Sequence, residues 1–110
     1  MSPVEKYSYR IMWSDDDGEF VGLCAEFPSL SWLAESQELA LKGIKKVVRD
    51  TVADMRASGE RLPEPLASKH YSGELRVRLP PTLHRRLAIQ AAEENRSLNR
   101  LIVTKLFESR

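Results

Sequence analysis

The sequence predicts an α+β chain in two parts. A small antiparallel sheet with one covering helix occupies residues 1–65, and a strand–helix–helix module occupies residues 73–110, with residues 66–72 as a linker. Three observations carry this reading. Apolar residues alternate with period two in the first third of the chain and again at Gly73–Leu79, the signature of strands with one buried face. They recur at three- and four-residue spacing in three longer stretches, the signature of helices. Charge also changes sign along the chain: residues 1–65 hold 8 Lys/Arg against 12 Asp/Glu, and residues 66–110 hold 9 against 4. An acidic part and a basic part read as different modules, and the basic one suits a polyanion.

The first strand is Tyr7–Trp13, with Tyr7, Tyr9, Ile11 and Trp13 on one face. Ser14-Asp15-Asp16-Asp17-Gly18 is a turn, since Asp-Gly accommodates the positive φ that a tight hairpin needs. Three consecutive turn carboxylates diverge rather than converge on an ion, so no metal site is expected there. Glu19–Phe27 returns as a second strand, broken by Pro28, and Leu30–Ala34 forms a short third strand. A helix follows over Gln37–Ala57, with Ser36 as its N-cap and Glu38 in the first turn, where the helix dipole favours negative charge. Its apolar stripe is Ala40, Leu41, Ile44, Val48, Val52 and Met55; Ser58-Gly59 ends it, and Leu62-Pro63-Glu64-Pro65 is a stiff exit.

In the basic part, Leu75, Val77 and Leu79 point one way and Glu74, Arg76 and Arg78 the other. Pro80 and Pro81 end this strand and open a helix of roughly Pro81–Glu94; a second helix, Leu98–Glu108, begins at a Ser97 N-cap. A lone strand leaves backbone groups without partners. The simplest remedy is a second copy of the chain, giving a two-stranded antiparallel ribbon. Strand, proline, helix, turn and helix together resemble the ribbon-helix-helix module, the β-ribbon DNA readers of the Arc and MetJ type. That resemblance implies base reading by Glu74, Arg76 and Arg78 in a major groove, because arginine forks onto guanine O6 and N7. It also implies a phosphate clamp at the second helix start, formed by Ser97 and Asn99 and flanked by Arg96 and Arg100, where free N–H groups favour an anion. Leu83, Leu87, Leu98, Leu101, Ile102 and Leu106, with the strand's Leu75, Val77 and Leu79, would form the dimer core.

The order of parts carries a wider resemblance. A tyrosine-containing strand, an acidic turn, Gly22-x-Cys24-x-Glu26-Phe27-Pro28, Glu35-Ser36-Gln37-Glu38-Leu39-Ala40 opening a helix, and Leu62-Pro63-Glu64-Pro65 closing the domain are together similar to the HicB antitoxin family. Many members of that family carry a C-terminal ribbon-helix-helix. Trp32-Leu33-Ala34-Glu35 departs from the glycine-rich turn common there. The resemblance implies a partial RNase H-like N-terminal fold without nuclease residues. It implies as partners a small basic HicA-type mRNA interferase toxin and operator double-stranded DNA, with repression of the operon. The acidic charge of residues 1–65 complements a basic toxin. Asp15, Asp16, Asp17, Glu19, Phe27 and Trp32 are the candidate toxin contacts. A homodimer through the C-terminal part is expected, with pairing into tetramers left open.

An apolar fraction of 42% and a charged fraction of 30% are those of a globular chain. No apolar run reaches the length of a membrane span and no signal peptide opens the sequence, so neither membrane nor secretion is expected. The single Cys24 excludes an internal disulfide and suits a reducing cytoplasm. No catalytic residues, metal or cofactor are expected. Two other classes stay open: a stand-alone ribbon-helix-helix repressor whose N-terminal domain senses a small ligand, and a nuclease of RNase H type.

Overall fold

The computed structural model describes residues 2–109; Met1 and Arg110, the outer limits of the two expected domains, lie outside them. The chain is α+β and forms two compact units, Met1–Tyr71 and Ser72–Arg110. The first unit contains a short 3-10 turn at Pro3–Lys6, the strands β1 (Tyr9–Ser14), β2 (Glu19–Cys24) and β3 (Ser31–Ala34), and the helix α1 (Gln37–Ala57). The second contains α2 (Pro81–Glu93) and α3 (Leu98–Glu108).

The three strands form one antiparallel sheet in the order β1-β2-β3. The β1–β2 hairpin closes through Gly18, whose φ is +65, with its N–H on the Ser14 carbonyl at 2.9 Å. Ser14 Oγ donates to an Asp17 carboxylate oxygen at 2.8 Å. Period two puts Tyr9, Ile11, Gly22, Cys24 and Trp32 on the face under α1, and Met12, Val21, Leu23 and Leu33 on the other. The second set forms a cross-sheet row, Met12 opposite Val21 and Val21 opposite Leu33, that no element of the first unit covers.

Helix α1 begins where Ser36 Oγ accepts the Leu39 N–H at 3.2 Å. It ends in a left-handed Gly59 at φ +73, with Gly59 N–H on Arg56 O and Glu60 N–H on Met55 O, the paired bonds of a Schellman motif. Its stripe falls as the spacing predicts: Ala40, Ile44, Val48 and Val52 are buried, and Leu41 and Met55 pack on the core. Those residues join Val4, Tyr7, Cys24 and Phe27 in one cluster.

Expected bounds in the first unit need correction. β2 stops at Cys24 rather than Phe27, because the chain turns there: the Phe27 N–H bonds back to Cys24 O at 3.1 Å. β1 starts at Tyr9 rather than Tyr7, because the 3-10 turn Pro3–Lys6 precedes it and turns Tyr7 into the core. The segment 66–71, expected as linker, clusters with the first unit. Glu26 holds it there. Its carboxylate accepts the Leu66 N–H at 2.9 Å and the Ser8 N–H at 2.8 Å, joining the chain's exit to the start of β1. Tyr7 Oη adds a bond to Pro63 O at 2.8 Å.

Burial pushes the Glu26 carboxyl up, but the hydrogen bonds from Leu66, Ser8 and its own backbone outweigh it, and the net shift is below the ordinary value of 4.5. A carboxyl lowered by folding stabilises the fold fully above its unfolded pKa. That contribution declines as the pH drops below 4.5 and is gone once the pH passes the lower folded value. The Leu66 amide should therefore keep its hydrogen-exchange protection factor down to pH 4.5 and lose it below. Glu26→Gln should lower that protection at neutral pH and remove the acid transition.

Close approach of α1 to the sheet depends on glycine. A Cβ at Gly22 would meet Ala40 O at 2.6 Å and Ile44 Cγ2 at 2.9 Å. Backbone cannot yield as a side chain can, so Gly22→Ala should destabilise the first unit by ~1–3 kcal/mol, the usual range for overpacking. Gly43→Ala meets instead the ring of Trp32, which is 43% exposed and can swing aside, so its cost should be smaller. Urea denaturation of the two variants followed by tryptophan fluorescence checks the order.

Candidate functional site

The second unit is built on a precise turn between its helices. α2 ends with Asn95 in the left-handed region at φ 54, the Asn95 N–H on Ala92 O at 3.2 Å and the Arg96 N–H on Ala91 O at 2.9 Å. This is a second Schellman motif, with asparagine where glycine is commonest. The N-cap of α3 comes two residues later, where Ser97 Oγ accepts the Arg100 N–H at 3.0 Å. Ala91 and Leu101 are buried between the helices. Ala91 was missed in the sequence reading, because a small residue adds little to a hydropathy stripe.

The candidate DNA-reading stretch is bare. Gly73–Leu79 makes no sheet pairing with any described part of this chain, so the expected strand has no ladder within one copy. Glu74, Arg76 and Arg78 are exposed. Of the opposite set, Leu75 is 85% and Val77 64% exposed, while Leu79 is half-buried. Val77, Leu79, Leu87, Leu98 and Ile102 nonetheless line one shared cleft, with His84 at its rim. Leu83 is half-buried, and Leu106 is 62% exposed. Phe107 at 76% and Ile89 at 50% are also exposed, outside that cleft, and were not among the expected core positions.

The helix start expected to clamp phosphate is arranged as a cap. Ser97 Oγ is engaged by the Arg100 amide, while the Asn99 and Arg100 side chains are exposed. Arg96 Nε lies 3.4 Å from a Glu94 carboxylate oxygen, an ion pair at the surface that solvent screens.

The candidate toxin contacts do not all share one surface. Phe27 is corrected: it is 9% exposed, its ring edge-on to Tyr7 with centroids 5.4 Å apart, and it belongs to the core. Asp15 accepts the Trp13 indole N–H at 2.6 Å and Asp17 the Ser14 hydroxyl, so both carboxylates brace the hairpin. Asp16 is exposed and Glu19 half-buried. Trp32 is half-exposed at the outer strand β3, against Gly43.

Among the described residues no three His, Cys, Asp or Glu side chains converge, and no helix is long and apolar enough to cross a membrane. Burial raises the Cys24 thiol's pKa, which keeps it protonated and a poor nucleophile. Burial, then the neighbouring Cys24, Glu5 and Glu26, push Tyr9 up to about 12, and its hydroxyl donates to Val4 O at 2.8 Å.

The class these features define is a two-unit α+β chain with a covered-sheet unit and a basic helix–turn–helix unit whose apolar cleft lies open. The model of the HicB family matches residues 57–106, from the end of α1 through nearly all of α3. Over those residues, less than half of the chain, the protein is similar to that family. The match takes in Leu62–Pro65 but leaves outside it Gly22–Pro28 and Glu35–Ala40, on which the wider resemblance also rested. No curated protein and no solved structure matches the chain.

Ser97→Ala should cost ~0.5–2 kcal/mol of stability in the second unit through loss of the cap. Asn95→Gly should cost nothing, since glycine fits the left-handed position more easily. Far-UV circular dichroism during thermal unfolding reads both.

Proposed function

We propose that this chain is an antitoxin of the HicB type. Its first unit neutralises a small HicA-type mRNA interferase, and its second unit, paired with a second copy, binds operator DNA and represses the operon. The observation that carries the reading is the HicB match at residues 57–106, which coincides with a bare basic segment and an uncovered apolar cleft. A second copy supplies what both lack. Gly73–Leu79 of each chain completes the other's ladder, Leu75 and Val77 leave water, and Arg76 and Arg78 of both chains fall on one face. The covered-sheet unit is the degenerate RNase H-like part of this reading.

The two arginines act as bidentate readers of guanine, with Glu74 accepting from cytosine or rejecting wrong bases. The exposed Asn99 and Arg100 at the start of α3, with Arg96, hold backbone phosphate, while Ser97 keeps the helix end ordered. Asp16, Glu19 and Trp32 remain the toxin contacts open to a partner.

The first test is growth. The short reading frame beside this gene should arrest growth alone, and the full chain should restore it. A harmless neighbour sinks the antitoxin reading and favours a stand-alone repressor with a ligand for its first unit. DNA binding is tested separately. Arg76→Ala should cost ~1–3 kcal/mol of operator discrimination, and affinity should fall steeply with salt as counterions are released. Operator binding unchanged by Arg76→Ala and Arg78→Ala together excludes the ribbon as the reading element.

A further inference from the structure

The chain's exit from the first unit is tied down at few points. Pro63 O accepts the Tyr7 hydroxyl at 2.8 Å and Leu62 packs on the core, so the root of the exit is fixed. Beyond the root, residues 64–71 bond chiefly to themselves. The Ser68 and Lys69 N–H groups both reach Pro65 O, at 3.2 and 3.0 Å, and Tyr71 Oη donates to Leu66 O at 2.9 Å. The result is a small knot of chain. Every residue from Leu66 to Tyr71 is exposed, so apolar burial does little to hold it. Among the described residues a single hydrogen bond joins the knot to the rest of the first unit: the Leu66 N–H on the Glu26 carboxylate at 2.9 Å. The other oxygen of that carboxylate accepts the Ser8 N–H at 2.8 Å, which keeps Glu26 in place whether or not Leu66 is bound. Past the knot stands Gly73, left-handed at φ +84 with open space around it.

We infer that residues 64–71 are a strap that opens as a unit, with the Glu26 carboxylate as its latch, and that opening turns a short joint between the two units into a long tether. A turn of this size has no core of its own, so it does not persist once the latch is undone. Closed, the free chain ahead of the Glu74–Leu79 segment is Ser72 and Gly73, a reach of about 7 Å. Open, it runs from Glu64 to Gly73, a reach of about 35 Å. Span decides which surfaces of the two units can be engaged at once, because the effective concentration across a tether collapses when the tether cannot reach. The strap thus sets the working range of the whole chain from a side chain of the first unit. The device requires neither the ribbon nor the antitoxin reading, since every bond in it lies within Met1–Tyr71.

Digestion of the full chain with an endoprotease that cuts after lysine reads the open population at Lys69, because cleavage of a transiently opened segment follows its equilibrium. Glu26→Gln removes the charge from the latch, and a hydrogen bond to a charged group is worth on the order of ten- to a hundredfold in such an equilibrium. The cut at Lys69 should speed up by that factor. Leu66→Pro reaches the latch from the other side. It removes the N–H, and the site is the second position of the Pro65–Ser68 turn, where proline fits. It should give the same acceleration with Glu26 intact. Hydrogen exchange on the unaltered chain should show the Leu66, Ser68 and Lys69 amides opening together, with one protection factor well below those of α1 and β2. A cut at Lys69 unchanged in both variants overturns the latch. Acceleration by Glu26→Gln without acceleration by Leu66→Pro does so too, because it assigns the effect to the bond with Ser8. Three amides that open independently, or α1 amides that lose protection in Glu26→Gln as much as the Leu66 amide does, overturn the strap as a separate piece.

Discussion

The first unit rests on the contact between α1 and Gly22. With no side chain at that point of the central strand, the carbonyl of Ala40 and the side chain of Ile44 descend onto the sheet. Ile44 becomes fully buried, and Val48 and Val52 follow it into the core one and two turns later. A single helix can cover only one face of three strands. What lies beneath α1 is a closed core, and what lies on the far side is a row of half-exposed aliphatics with two open edges. The unit's capacity for partners is the remainder left by this one packing choice.

The second unit shows the opposite economy. Its helix–turn–helix is fixed locally by a Schellman motif and a serine cap, both made from residues adjacent in sequence. Its apolar side chains are too few to enclose themselves, and among its described residues only Ala91 and Leu101 are buried. A unit of about forty residues is near the lower limit for a self-sufficient core. Local order without global burial is the condition in which a chain completes its core with a second molecule.

Much of this was legible in the sequence. The bounds of α1 and α3, both serine caps and the α1 stripe follow from spacing and from the short-range chemistry of Ser36, Ser97 and Gly59, which neighbours in sequence decide. Long-range contacts were not legible. Phe27 reads as the end of the second, mostly buried strand, yet the chain turns at Cys24 and Phe27 packs in the core beyond it. Glu26 enters the sequence analysis only as part of the Gly22–Pro28 motif, but it ties residue 8 to residue 66, a contact no local pattern encodes. Gly43 gives no signal in the sequence pattern, and its role against Trp32 is visible only in the fold. Of the candidate site, Gly73–Leu79 reads as an alternating strand with one buried face, yet without a partner strand Leu75 and Val77 stand as exposed as the arginines. The candidate toxin contacts also shift, since Asp15 and Asp17 turn out to serve their own hairpin.

The distribution of aromatic rings has an optical consequence. Both tryptophans, Trp13 and Trp32, and all three tyrosines lie within Met1–Tyr71, and the second unit has neither residue type. Tyrosine and tryptophan absorbance and fluorescence are therefore signals of the first unit alone, while the helical signal of the far ultraviolet comes from both. The chain carries its own two-channel spectrometer. Trp13 stands beside the hairpin turn against Phe20, and Trp32 on the outer strand, so polarity changes at opposite ends of the sheet reach the detector through different rings.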